Sequence, residues 1–119
     1  MRASYEELPV ALSGPGFESR EATWGDLVVA RQSCEVRVDT AEMFEALPGG
    51  ACTSHHWGVV LRGAGEFSWP DRTTTVRAGD AYYAPPGHNF SAEPDTELVE
   101  FTPAGEHAEV VRALAEALA

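Results

Sequence analysis

The sequence predicts an all-β sandwich or barrel with one helix at its C-terminus, and three observations carry that prediction. Short runs rich in β-branched and aromatic residues recur roughly every 8–12 residues. Gly, Pro or Asp separates most of them, as turn chemistry requires. Only the tail changes period: Val110, Val111, Leu114 and Leu118 lie at helical spacing with Ala filling the gaps.

The elements follow in order. Residues 1–22 are polar and interrupted by Ser13-Gly-Pro-Gly16, and read as a loosely packed arm with one edge strand. Trp24 to Ala30 and Ser33 to Val38 read as two strands joined by a tight turn at Arg31-Gln32. Asp39 then caps a short helix near 40–47, with Glu42 three residues on in a capping-box pattern. Met43, Phe44 and Leu47 supply its apolar side, and Pro48-Gly-Gly50 stops it. His56 to Leu61 and Glu66 to Trp69 read as strands, with Arg62-Gly-Ala-Gly65 between them. Thr73 to Arg77 is a strand because three Thr and a Val suit a pleated surface better than a helix. Ala78-Gly79-Asp80 turns the chain into Ala81 to Ala84, Pro85-Pro-Gly87 follows, and Thr96 to Phe101 is the last strand. Glu106 to Leu118 is the C-terminal helix. The expected organisation is one domain: an arm over 1–22, a barrel over 23–103 and a helix over 104–119.

Composition narrows the partners. The chain has 119 residues, enough to bury a core without a disulfide framework. Eight basic residues, all Arg, face 19 acidic ones, for a net charge of −11. That balance argues against nucleic acid, which needs a basic stripe, and against an anionic membrane surface. No apolar run is long enough for a signal peptide or a bilayer span. Cys34 and Cys52 are too few for a secreted disulfide scaffold, so a cytoplasmic chain with reduced thiols is expected.

The candidate chemistry lies between residues 52 and 88. In an extended segment Cys52, Ser54 and His56 share one face, and His55 points the other way. A thiolate and an imidazole on one barrel face, joined by a third ligand, can hold a divalent metal. His88, presented by the rigid Pro85-Pro-Gly87 turn, is the natural third ligand. Cys52 reads equally as a small buried hydrophobe, the usual state of a free Cys, and Cys34 reads as core.

The stretch Cys52 to Gly63, followed by Ala78 to His88, resembles the two motifs of small single-domain bacterial cupins. Gly50, Gly63, Gly79, Pro85 and Gly87 fall where the cupin pattern places its glycines and proline. The resemblance spans residues 24–103 and implies a double-stranded β-helix, or jelly-roll, barrel. The ligand set departs from the pattern. His56 stands where the family has its metal-binding Glu, Cys52 where it has the second His of His-x-His, and Gly50 where it has the first. Phe90 takes the position of the second-motif His, with His88 two residues earlier. What remains resembles a subgroup of small bacterial cupins carrying His-Trp-Gly and Pro-Pro-Gly-His segments.

With that resemblance, the expected metal ligands are His56, His88 and Cys52, with His55 as the alternative if one bulge exchanges the two histidines. A thiolate in the set favours zinc; iron, manganese or nickel stay open. Tyr82 shares parity with His88 and can project inward. Glu97 and Glu100 have opposite parity, so one faces in, and an inward Glu100 can serve as a fourth ligand or a general base. Tyr82 and Glu100 are thus the candidate catalytic residues. The expected function is a metal-binding cupin acting on a small carbonyl or carboxylate metabolite, or an aromatic polyketide-like one. A non-catalytic small-molecule or metal sensor, or an apo structural dimer barrel, is the alternative. The family tendency to pair through edge strands implies a homodimer.

Overall fold

Turn chemistry divides the chain into strands that run antiparallel and close on one another. The computed structural model describes residues 1–117. Its strands are β1 (Val10–Gly14), β2 (Phe17–Trp24), β3 (Leu27–Cys34), β4 (Val38–Asp39), β5 (His56–Arg62) and β6 (Ala64–Trp69). β7 (Arg72–Arg77), β8 (Ala81–Ala84), β9 (Asn89–Ala92) and β10 (Thr96–Pro103) complete the set. Two helices, α1 (Thr40–Met43) and α2 (Ala104–Ala117), interrupt and end it. The strands form a six-stranded sheet in the order β1-β2-β3-β10-β5-β8 and a four-stranded sheet in the order β4-β9-β6-β7. The two sheets wrap around a common interior as the expected cupin-type barrel. No helix among the described residues is long and apolar enough to cross a membrane.

Three features depart from the sequence reading. Arg31 and Gln32 do not turn; they lie inside β3, which runs unbroken from Leu27 to Cys34. The hairpin is at Gly25-Asp26, because Gly25 takes the left-handed φ of 62° and no residue at 31–32 favours that region. Residues 1–22 do not stand apart as an arm. They form a 3₁₀ turn at Tyr5–Glu7, then β1 and most of β2, and β2 pairs with β3 from Phe17↔Cys34 to Trp24↔Leu27. β2 escapes a search for apolar alternation because its inward positions include Ser19 and Glu21. β9 is a strand beyond those the sequence marks; it pairs with β4 and β6 and carries Phe90 onto Phe67, ring centroids 4.5 Å apart.

The helices follow their local signals. Asp39 caps α1 by accepting from the Ala41 backbone N–H at 2.9 Å. The helix is shorter than expected: it ends at Met43, and a turn carries the chain to Leu47. α2 begins where β10 ends; the part of the expected helix at Leu118 lies outside the described residues.

The core is split in two, and the split leaves room between its halves. Val60, Phe67, Val76 and Ala84 fill one end of the barrel, with Trp69, Tyr82 and Phe90 against them. Leu47, Cys52 and Val110 form the second cluster, where α2 lies across the opposite end with Leu114 and Phe44 beside them. Between the clusters is a cavity of about 720 Å³.

Gly63 makes the passage from one sheet to the other. Its φ is +84°, and a Cβ there would lie 2.4 Å from Thr96 Oγ1 and 2.7 Å from Thr96 Cα. Thr96 is itself fixed, donating to the Glu93 carbonyl at 2.8 Å and accepting from the Ala64 N–H at 3.2 Å. Gly63→Ala therefore meets both a strained backbone and a blocked space. The expected loss is about 2 kcal/mol or more of folding stability, measured by urea denaturation.

Candidate metal centre in the barrel

Each candidate ligand is delivered by a different local device. His56 is the first residue of β5 and is partly covered. Cys52 precedes the strand in irregular chain, yet it is anchored by an isolated bridge to His88: its N–H donates to the His88 carbonyl at 2.9 Å. The Gly87 N–H returns a bond to the Cys52 carbonyl at 2.7 Å. Gly87 can do so because it holds a φ of 95°, open only to glycine without strain. The Pro-Pro-Gly turn and the Cys52 loop thus hold one another, and both side chains enter the barrel buried.

The ligand atoms of Cys52, His56 and His88 lie within 4.8 Å of one another. The thiol of Cys52 is 3.4 Å from His56 Nε2. The other nitrogen of each imidazole is already occupied. His88 Nδ1–H donates to the Pro85 carbonyl at 2.8 Å, which leaves Nε2 with its lone pair free. His56 Nδ1 is 2.7 Å from the Thr102 hydroxyl, so its Nε2 faces the sulfur. Second-partner hydrogen bonds of this kind fix the tautomer and ring angle of metal-bound histidines. Burial holds both imidazoles neutral, pushing His56 down to about 4 and lowering His88. The donor set, two neutral imidazole nitrogens and one sulfur, suits a divalent transition metal. One feature opposes it: burial pushes the Cys52 thiol up to about 11, so loading requires release of its proton.

His55 is not part of this cluster. Its Nδ1 and its backbone N–H both meet Glu106 Oε1 of α2 at 2.8 Å, and its ring stacks with Trp57 and Tyr83 on the outer face. Those bonds hold the Glu106 carboxyl below the usual range. Cys34 is buried core, its thiol donating to the Glu93 carbonyl at 3.4 Å.

The two candidate catalytic residues do meet. Strand pairing aligns Glu21, Ala30, Glu100, Gly58 and Tyr82 in one row across the larger sheet. Tyr82 reaches over Gly58 and donates to Glu100 Oε1 at 2.8 Å. A Cβ on Gly58 would sit 2.5 Å from that hydroxyl, so the glycine is what lets the two side chains join. Glu100 Oε2 is also 3.5 Å from His56 Nδ1. Burial pushes the Glu100 carboxyl up to about 7, and burial beside Glu100 raises the Tyr82 phenol. Glu97 faces outward as its parity requires and pairs with Arg31.

Sequence reasoning missed three residues of the same cavity. Thr102 lies two positions from Glu100 on β10, so strand parity alone could have found it. Glu21 and His107 carried no signal. Their side chains meet at 3.0 Å across 86 residues of sequence, from β2 and α2. That bond lowers Glu21 and raises His107.

Glu100 gives a stability signature with a definite sign. Its folded-state value near 7 lies above the ordinary 4.5. The stability contributed by its protonated form is thus present below about pH 4.5 and is lost as pH rises through about 7. Glu100→Gln, which stays neutral, should gain on the wild type across that window by on the order of 1 kcal/mol per pH unit. Urea denaturation of the metal-free proteins near pH 5 and near pH 8 reads this; a difference that does not change with pH would contradict it.

The fold has many relatives among solved structures. An RmlC-like cupin from Shewanella frigidimarina superposes with a TM-score of 0.62 at 12% identity, covering 86% of this chain and 88% of that one. KdgF from Halomonas sp. gives 0.57 at 22% identity, covering 84% and 90%. The polyketide cyclase RemF from Streptomyces resistomycificus gives 0.62 at 17% identity, covering 87% and 79%. No curated protein matches by sequence. Residues 51–119, more than half of the chain, match the family described as AraC-like ligand binding domain. That stretch begins one residue before Cys52 and takes in His56, Tyr82, His88 and Glu100, so the cluster described above lies within the matched region. The chain belongs to the AraC-like ligand-binding domain family, a cupin-type barrel.

Proposed function

We propose that Cys52, His56 and His88 hold one divalent metal ion at the inner end of the barrel, facing a small molecule in the cavity. The convergence of one sulfur and two neutral, oriented imidazoles within 4.8 Å carries this reading. A thiolate among three ligands favours zinc over iron, manganese or nickel. Bound there, the ion would polarise a carbonyl or hydroxyl oxygen as a Lewis acid. The protein's own part is separate. Thr102 and the Pro85 carbonyl fix the imidazoles, and the apolar walls exclude water. Glu100, held by Tyr82, stands ready to accept or return a proton on the ligand. A second reading, a ligand-binding sensor without turnover, is favoured by the family's description as a ligand-binding domain.

Zinc titration against a chromophoric chelator tests the site. One ion per chain is expected. His56→Ala, His88→Ala and Cys52→Ser should each weaken it by about a hundredfold or more, and His55→Ala should leave it nearly unchanged. Because the thiol must lose its proton, affinity should rise by about tenfold per pH unit near neutrality. Loss of zinc in His55→Ala alone would exchange the two histidines. Unchanged affinity in Cys52→Ser would remove the sulfur from the site and favour an oxygen ligand from Glu100.

We also propose a cytoplasmic homodimer. Cys34 and Cys52 are both free and buried, in keeping with a reducing compartment. β1 is an exposed edge strand, Val-Ala-Leu-Ser-Gly, with Val10 and Leu12 about half exposed. It carries no charge, so a second copy can pair with it without apposing like charges of a chain at −11. Sedimentation at micromolar concentration should show a dimer, reduced to monomer by Leu12→Pro. A 12.8 kDa species throughout would overturn it.

A further inference from the structure

The cavity walls carry information about the ligand that the metal cluster does not. The row across the larger sheet alternates large polar residues with small ones: Glu21, Ala30, Glu100, Gly58, Tyr82. Ala30 leaves the wall open, Gly58 makes room for Tyr82 to reach Glu100, and Glu21 and Glu100 bring two carboxyl groups to the wall. Among the described residues, no Arg lines this cavity, and the chain has no Lys. The His107 imidazole, which also lines the cavity, is already bonded to Glu21 at 3.0 Å, with Ser19 donating to the same carboxylate at 3.2 Å. The remaining wall is largely aromatic and aliphatic, with Phe17, Phe44, Phe67, Phe90 and Leu98 facing inward. A volume of about 720 Å³ accommodates a fused-ring compound.

We propose that this cavity takes an uncharged, largely apolar ring compound bearing a hydroxyl group, and that it discriminates against the same skeleton bearing a carboxylate. The inference rests on the reading of the barrel interior as the ligand site. The reason is electrostatic. In the metal-free chain a carboxylate entering the cavity loses water, finds no guanidinium or ammonium to replace it, and faces two carboxyl groups. A hydroxyl loses little and finds acceptors on the same wall, since Glu21 and Glu100 each offer oxygen atoms to a donor. The aromatic surfaces take the rings by burial and by edge or offset stacking.

The test compares two ligands that differ only in that group. The wild-type chain, dialysed against a chelator, is loaded with the neutral fluorophore N-phenyl-1-naphthylamine, and 2-naphthol and 2-naphthoate are each used to displace it. We expect 2-naphthol to displace at a concentration lower by about tenfold or more. Ala30→Phe, which fills the cavity, should weaken both, and Trp57→Ser, on the outer face, should alter neither. Equal or tighter displacement by 2-naphthoate would overturn the proposal. So would loss of binding in Trp57→Ser with Ala30→Phe unaffected, because the probe would then sit outside the barrel. The wild-type comparison needs no variant, so a failure of Ala30→Phe to fold leaves it decisive. The measurement is made without metal, so a failed zinc titration and a failed ligand preference are separate results.

Discussion

The register of β10 is the constraint on which the rest of this molecule depends. It pairs with β3 from Thr96↔Cys34 to Pro103↔Leu27 and with β5 from Glu97↔Arg62 to Phe101↔Trp57. Alternation along it sends Leu98, Glu100 and Thr102 into the cavity and Glu97 and Phe101 out. A slip of one residue would exchange those sets. It would bury Glu97 without Arg31, expose Glu100, and withdraw the Thr102 hydroxyl from His56. The two-sided pairing of β10 is therefore both the main element of the sheet and the part that orients the site.

The polar groups of the interior are satisfied in small closed sets. Tyr82 serves Glu100, Thr102 serves His56, the Pro85 carbonyl serves His88, and His107 serves Glu21. Buried polar groups need such partners, since each left alone costs about 1–3 kcal/mol. The sets leave specific atoms over: Nε2 of each of the two imidazoles, the thiol of Cys52 and carboxylate oxygens of Glu100. Those leftover atoms point into one space, which is what turns a satisfied interior into a candidate site.

α2 links the site to the barrel mouth. Glu106 holds the His55 backbone, His107 holds Glu21, and Val110 packs with Leu47 and Cys52. Burying Val110 and its neighbours contributes on the order of 2 kcal/mol per large side chain. The helix therefore sits against the Cys52 loop and a cavity wall together. His55 and His56, adjacent in sequence, serve opposite sides of this arrangement: one tethers the helix and the other faces the thiol.

Much of this was legible in the residues. The spacing of turn residues determined a barrel of short strands, the C-terminal periodicity determined α2, and Asp39 determined where α1 begins. Strand parity separated Glu97 from Glu100 and His55 from His56, because side-chain direction in an extended chain is a local property. What lay beyond the sequence has a common physical cause. β2 could not be read because its inner face lines a cavity with Ser19 and Glu21, which reverses the apolar pattern that marks a strand. The hairpin at Gly25-Asp26 competed with an apolar run that ignored it, and one positive φ decided between them. The meeting of His107 with Glu21, and of Cys52 with His88, depends on how separate elements close in space. Tertiary structure alone decided those contacts, since no local rule relates residues 86 or 36 positions apart.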